Sequence, residues 1–271
     1  MEGVKFVNSV SVTQQQYVKQ KKRQIQLLKT IRILILIAFL MVWELATNLH
    51  YIDGFFFSSP SRILLCIWNM LFDGSLLLHI GVTLYETLLS FLLIILFSMG
   101  TAMLFWLHPR IYEVFDPFLV VLNSLPKSAL APLFIVWLGT NVRTIIVAGI
   151  SVAVFGSIIS LYSGFANVDK DKIKLIYTLG GGKKDALKKV VVPGTIPVLL
   201  STMKVNIGLA LVGVIIGEFL AARRGLGYLI IYGSQVFKLD WVIMSIVILC
   251  IIAIGLYSLL NFAEKKYLKG L

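Results

Sequence analysis

The chain has 271 residues, of which 58% are hydrophobic and only 14% charged, where a soluble domain carries about 25% charged residues. Its mean hydropathy of +0.91 excludes a water-soluble globule, and two cysteines 184 positions apart, Cys66 and Cys250, exclude a disulfide framework or a zinc cluster. The 25 Lys and Arg against 13 Asp and Glu leave a net charge of +12, which in so apolar a chain concerns membrane sidedness rather than nucleic acid, whose binders carry their cations on a solvated face.

A bilayer core of about 30 Å is crossed by about 20 apolar residues of helix, and six stretches qualify: 31–49, 76–105, 117–138, 144–162, 196–220 and 241–262. The first follows about 30 mostly polar residues and no small-x-small cleavage site succeeds it, so it reads as a retained helix rather than a removed signal. The second carries His79 and Glu86 near its start and is long enough for one tilted helix; His79 reads as an interfacial side chain. In the third, Pro126 and Pro132 flank Lys127. Proline frees backbone carbonyls, and broken helices at membrane depth occur where they line a cavity or are buried in protein. Residues 125–132 are therefore candidates for a translocation path, with a kinked packing helix as the alternative.

The fifth stretch holds Lys204 and Glu218, fourteen residues and so nearly four turns apart on one face. An ionisable group inside a span is costly enough to be a functional candidate, which gives the candidate path as Pro126, Lys127, Pro132, Lys204 and Glu218. For Lys204 an interior ion pair, with Glu86 or with a partner subunit, stands beside an anion-attracting role. Gly213-x-x-x-Gly217 permits close helix packing.

Sorted onto alternate sides of six spans, 18 basic residues fall on the side of the termini and 5 on the other, with Lys127 and Lys204 inside spans. Basic loops stay cytoplasmic, so both termini and the segment 164–195 are expected in the cytoplasm. That segment is the one long connection on its side. Ile173, Ile176 and Leu179 recur at helical spacing opposite Lys170, Lys172 and Lys174. A second short amphipathic stretch, with Ala186, Leu187, Val190 and Val191, follows the glycines and ends at Pro193. The pattern predicts two short helices with a glycine elbow, a docking surface for another protein or a basic segment lying on anionic lipid. Gly180-Gly181-Gly182-Lys183-Lys184 is no phosphate loop, because Tyr177 and Lys184 stand where the motif needs Gly and Ser or Thr.

Gly180, nine residues, then Val190-Val191-Val192-Pro193 resembles the second half of the signature loop of bacterial ABC importer permeases. His79-Ile-Gly-Val-Thr83-Leu, Asp116-Pro117-Phe118, Leu125-Pro126-Lys127 through Pro132 and Trp137 to Gly139, Gly217-Glu218 and Gly225-Leu226-Gly227-Tyr228 are similar, in the same order over about residues 76–262, to the subfamily serving aliphatic sulfonates, taurine, nitrate and thiamine-precursor pyrimidines. One departure is plain: the family's Glu-Ala-Ala triplet falls on Lys174-Leu175-Ile176.

The resemblance implies an all-α integral membrane protein, a six-helix type I importer (MetI-like) bundle with a cytoplasmic coupling helix. Its parts would be a basic N-terminal segment (1–30), a first helix with its external loop (31–75), the core transmembrane domain (76–262) and a cytoplasmic tail (263–271). It also implies a permease, not an enzyme, in a bacterial cell membrane, working with a dimer of ATP-binding subunits, a second permease copy and an extracytoplasmic substrate-binding protein. This chain would bind no cofactor, the partner ATPase using ATP with magnesium. Lys174, Tyr177, Thr178, Leu179, Gly180, Gly181, Val190 and Pro193 would form the ATPase-coupling loop, Pro193 fixing the lever's exit angle. The cargo would be a sulfonate-, taurine- or nitrate-like anion, which Lys127 and Lys204 would suit, or a thiamine-precursor pyrimidine. A proton-coupled transporter using Glu86 or Glu218 is the rival reading, and an intramembrane hydrolase built on Ser157 or Ser160 with His79 lacks the Gly-x-Ser-x-Gly elbow.

Overall fold

The computed structural model describes residues 12–268, which divide between Arg62 and Ile63 into two compact units. In the first, the basic stretch and the first span are one uninterrupted helix, α1 (Val12–Asn48). Beyond it Asp53 caps a single turn, α2 (Gly54–Phe57), by accepting the Phe55 N–H at 2.8 Å. The Glu44 carboxylate of α1 accepts both the hydroxyl (2.8 Å) and the N–H (3.0 Å) of Ser61, fixing the start of α3 (Pro60–Phe72), which runs on into the second unit.

The second unit is a helical bundle. Its elements are α4 (Ser75–Leu107), α5 (Pro109–Ser124), α6 (Lys127–Leu138), α7 (Val142–Ala166), α8 (Lys170–Thr178), α9 (Lys183–Ala186), a π turn (Leu187–Val191), α10 (Val192–Ala221), α11 (Leu226–Gln235) and α12 (Leu239–Leu268). Among the described residues five helices are long and apolar enough to cross a bilayer, or six if α5 and α6 count as one span. The third predicted span is thus corrected: α5 and α6 meet at 97° across Leu125 and Pro126. Proline at 126 has no N–H to continue the α5 ladder and biases Leu125 to extended backbone, which Leu125 adopts (φ −62°, ψ 136°). Pro132 lies inside α6 and does not make the break.

The core lies where α7 packs against α4 and α10. Ile94, Ala153 and Ala210 form its middle layer, with Ile145, Val214 and Ala221 towards one end and Ala102, Leu161, Phe165, Leu187 and Val191 at the other. A Cβ at Gly213 would stand 2.8 Å from the Gly149 Cα, and one at Gly217 2.8 Å from the Ile145 Cα. The glycine pair therefore brings α10 backbone against α7 backbone, where dispersion rather than water exclusion holds helices together.

Candidate functional site

The segment between α7 and α10 departs from the expected pattern in two ways. The second amphipathic stretch does not end at Pro193: α9, the π turn and α10 form one continuous run, Lys183–Ala221. Pro193 sits in the first turn of α10, and just before it the ladder widens to an i→i−5 bond, Val192 N–H to Leu187 O. This single-turn bulge is where the helix takes in a residue that would otherwise crowd the carbonyl four positions back. The apolar stripe of α8 is also split. Ile173 packs on the Phe165–Leu187–Val191 cluster and Ile176 is half-buried, whereas Leu175 (58%), Tyr177 (45%) and Leu179 (75%) are exposed.

The elbow is a complete helix-terminating motif. Gly181 N–H donates to Ile176 O at 2.9 Å and Gly180 N–H to Tyr177 O at 3.0 Å, the 6→1 and 5→2 pair that satisfies the last carbonyls of a helix. Gly180 adopts φ +81°, a region that costs other residues about 1–2 kcal/mol. Asp169 caps the start of α8 through the Asp171 N–H (2.9 Å), and Asp185 receives the Gly182 N–H (2.9 Å) at the start of α9. The base is anchored by buried Ala186, Leu187 and Val191 and by Lys183, whose Nζ donates to Leu107 O at the end of α4 and lies 5.8 Å from the centre of the Trp106 ring. Lys174, in place of the family's glutamate, pairs with Asp171 at 3.0 Å on the open surface. Such exposed pairs contribute little. Thr178 donates to Leu175 O and Val190 is half-buried.

The charged path candidates have partners inside this chain. Lys127 folds back on the end of α5, its Nζ donating to the carbonyls of Leu122, Asn123 (3.1 Å) and Leu125 (3.0 Å). A cation there meets both the orphan carbonyls and the negative end of the helix dipole. Lys204 pairs with Glu264 of α12 at 2.6 Å, both side chains less than one-fifth exposed, and not with Glu86. The two partners are 60 residues apart in sequence, and no local spacing announces the pair.

Glu218, Thr83 and His79 come together with the Gly225–Tyr228 segment. Glu218 is 1% exposed; its Oε1 accepts the Thr83 hydroxyl (2.7 Å) and its Oε2 the Gly227 N–H (2.6 Å). The Thr83 oxygen in turn accepts the Leu226 N–H at 2.8 Å, and His79 Nδ1 accepts the Gly225 N–H at 2.9 Å while its ring stacks on Tyr228. One carboxylate and two α4 side chains thus hold the first turn of α11. Gly225, at φ +121°, has no room for a Cβ beside the Glu218 carboxylate. His79 is therefore a tether to this turn rather than a free interfacial side chain. Glu86 lies beside Glu218 and is equally buried.

Two cavities adjoin along α7 and α10. One, of about 710 Å³, is bounded by Ser163, Asn167, Lys172, Lys189 and Pro193 beside the α8–α9 segment. The other, of about 370 Å³, is lined by polar residues of α5, α7 and α10, and Ser160 borders both. Pro126, Lys127, Pro132, Lys204 and Glu218 line neither. Ser157 shares its one hydroxyl hydrogen between Ala153 O (2.7 Å) and Asn206 Oδ1 (2.9 Å), and His79, its partner in the hydrolase reading, is tethered at Gly225. No group of three or more metal-ligating side chains occurs among the described residues.

The model of the family described as "binding-protein-dependent transport system inner membrane component" matches residues 94–267, more than half of the chain. A probable ABC transporter permease protein of Haemophilus influenzae is 29% identical over 247 residues, covering 90% of this chain and 98% of its own. The taurine transport system permease protein of Escherichia coli is 25% identical, covering 88% of each chain, and the formylaminopyrimidine transport permease protein of Halalkalibacterium halodurans 26%, covering 86% and 90%. Among solved structures, an inward-facing MetNI methionine ABC transporter chain superposes with a TM-score of 0.61 at 17% identity, over 74% of this chain and 97% of that one.

Proposed function

The chain belongs to the family of binding-protein-dependent transport system inner membrane components, and is a permease subunit of an ABC importer rather than an enzyme; from that premise we propose how its parts divide the work. The observation that carries the proposal is the α8–α9 segment, an exposed apolar tip on a packed base. Leu175, Tyr177 and Leu179 offer a partner an apolar surface, while Phe165, Leu187, Val191 and Lys183 tie the segment to α7, α10 and α4. A movement imposed on the tip is passed to those spans because packed helices shift as rigid bodies between discrete arrangements. In this reading the tip sits on an ATP-binding subunit, which holds ATP and magnesium, and nucleotide-driven closure rocks this bundle against a second copy of the chain. The lysine count favours an orientation with both termini and the tip in the cytoplasm, and a substrate-binding protein delivers cargo from the other side.

The polar cavities along α7 and α10 serve as one wall of the path in this reading. Relatives named for taurine and for formylaminopyrimidine support a cargo that is either a small sulfonate-like anion or a pyrimidine.

The docking step is tested by cross-linking in membranes from cells that also make the ATP-binding subunit, in a background lacking Cys66 and Cys250. A cysteine replacing Leu179 (75% exposed) cross-links to that subunit, and one replacing Phe72 (74% exposed) does not. Equal cross-linking from both positions, or from neither, contradicts the assignment.

A further inference from the structure

The smaller cavity carries chemistry of its own. Asn123, Ser157, Ser160, Ser201, Thr202 and Asn206 supply its polar lining, with Val152, Val205 and Leu209 between them, and no ionisable side chain borders it. Of the two lysines inside the spans, Lys204 is paired with Glu264, and Lys127 is turned onto the backbone carbonyls of Leu122, Asn123 and Leu125 rather than into the cavity lining. Asn206 is 4% exposed, and its Oδ1 accepts the Ser157 hydroxyl, so its Nδ2 points the other way. Among the described residues no group accepts from that Nδ2, and it is not sealed from the cavity. Opposite it, the bare Gly156 leaves room for the Asn123 amide, whose Oδ1 would stand 3.0 Å from a Cβ at 156.

A donor that opens onto a cavity is matched by whatever fills it, so the arrangement is complete when water or a solute accepts from it. The nature of that solute follows from the missing charges. An anion held among amides, hydroxyls and valine side chains at membrane depth would have no counter-charge to offset its desolvation. An uncharged solute instead exchanges water for the Asn206 donor and the neighbouring hydroxyls at little cost. The cavity volume of about 370 Å³ falls in the range of small-molecule sites.

Resting on the proposed reading of these cavities as one wall of the transport path, we infer that the Asn206 cleft is a transient solute site. It takes uncharged, hydrogen-bonding solutes of about pyrimidine size in preference to small anions, and Asn206 is the residue that selects them. Of the two cargo classes left open above, the cleft favours the uncharged one.

The test uses the full-length permease co-purified with its ATP-binding subunit, with Val205→Cys as reporter (Val205 borders the cleft and is 62% exposed) in the background lacking Cys66 and Cys250. A water-soluble charged thiol reagent labels the reporter if the cleft belongs to the water-filled path, and labelling blocks uptake; a reporter that stays unlabelled, or labelling that leaves uptake intact, removes the path reading and the site with it. Labelling is then repeated at neutral pH with an excess of cytosine, which is uncharged, or of ethanesulfonate, which is anionic. At a concentration of cytosine that slows labelling about fivefold, ethanesulfonate does not slow it, and Asn206→Ala cuts the cytosine protection to about twofold, as expected where loss of one neutral hydrogen bond weakens binding about fivefold. Protection by ethanesulfonate, or by neither probe, overturns the assignment of solute class while leaving the path reading in place. The probe comparison needs no substitution at 206, so it decides the matter even if Asn206→Ala does not fold.

Discussion

Replacing Thr83 by valine changes the shape of a buried side chain very little and removes its hydroxyl. That hydroxyl donates to Glu218 Oε1 at 2.7 Å and accepts the Leu226 N–H at 2.8 Å, at a position with 0% exposure. The substitution leaves a backbone donor and a carboxylate oxygen facing a methyl group. Each orphaned buried group costs about 1–3 kcal/mol, so Thr83→Val is expected to destabilise the protein by about 2–6 kcal/mol. At about 2–4 °C per kcal/mol for chains of this size, the midpoint of thermal unfolding in detergent falls by at least about 4 °C. Thr83→Ser keeps both bonds and loses one methyl, at a cost of about 1 kcal/mol. If the valine and serine variants unfold at the same temperature, the hydrogen-bonded anchor of α11 is not a stabilising element and the reasoning fails.

Other outcomes follow from the same geometry. Gly225→Ala combines a backbone at φ +121° with a Cβ directed at the Glu218 carboxylate; it is expected to cost at least about 2 kcal/mol in the same unfolding assay. Lys204→Met strands the Glu264 carboxylate in a site 14% exposed at about 3 kcal/mol, and adding Glu264→Leu restores most of the loss, as a double-mutant cycle would report. Gly180→Val forces a β-branched residue to φ +81° with open space around its Cβ. It therefore perturbs the elbow alone, and the variant is expected to reach the membrane in normal amount yet lose most of its ATP-driven uptake. Gly180→Asn, which tolerates that backbone, keeps it.

The spans were legible because lipid imposes one requirement, about 20 apolar residues in a helix whose own ladder satisfies its polar groups. Stretches such as 76–105 and 144–162 differ from α4 and α7 by a few residues at their ends. The short helices α3 and α11 were missed, being too brief to declare themselves by hydropathy. The fused run from α9 into α10 was hidden because Pro193 reads locally as a stop and only the widened turn before it shows otherwise. The site divides in the same way. The elbow was visible in its glycines, whose backbone conformation is a local property, whereas Lys204–Glu264 and Thr83–Glu218 join residues 60 and 135 positions apart. The polar wall left a trace that was misread. Ser157 and Ser160 on α7, and Thr202 and Asn206 on α10, stand three or four residues apart, a spacing that marks one helix face, but the serines read locally only as nucleophiles.

Uptake into proteoliposomes tests the central claim most directly. The permease is reconstituted with its ATP-binding and substrate-binding partners, and transport is followed with ATP supplied on the side of the α8–α9 tip or with a proton gradient alone. ATP-dependent uptake that survives a protonophore is the predicted result. Uptake driven by the proton gradient without ATP would contradict it and return Glu86 and Glu218 to consideration as proton-coupling groups.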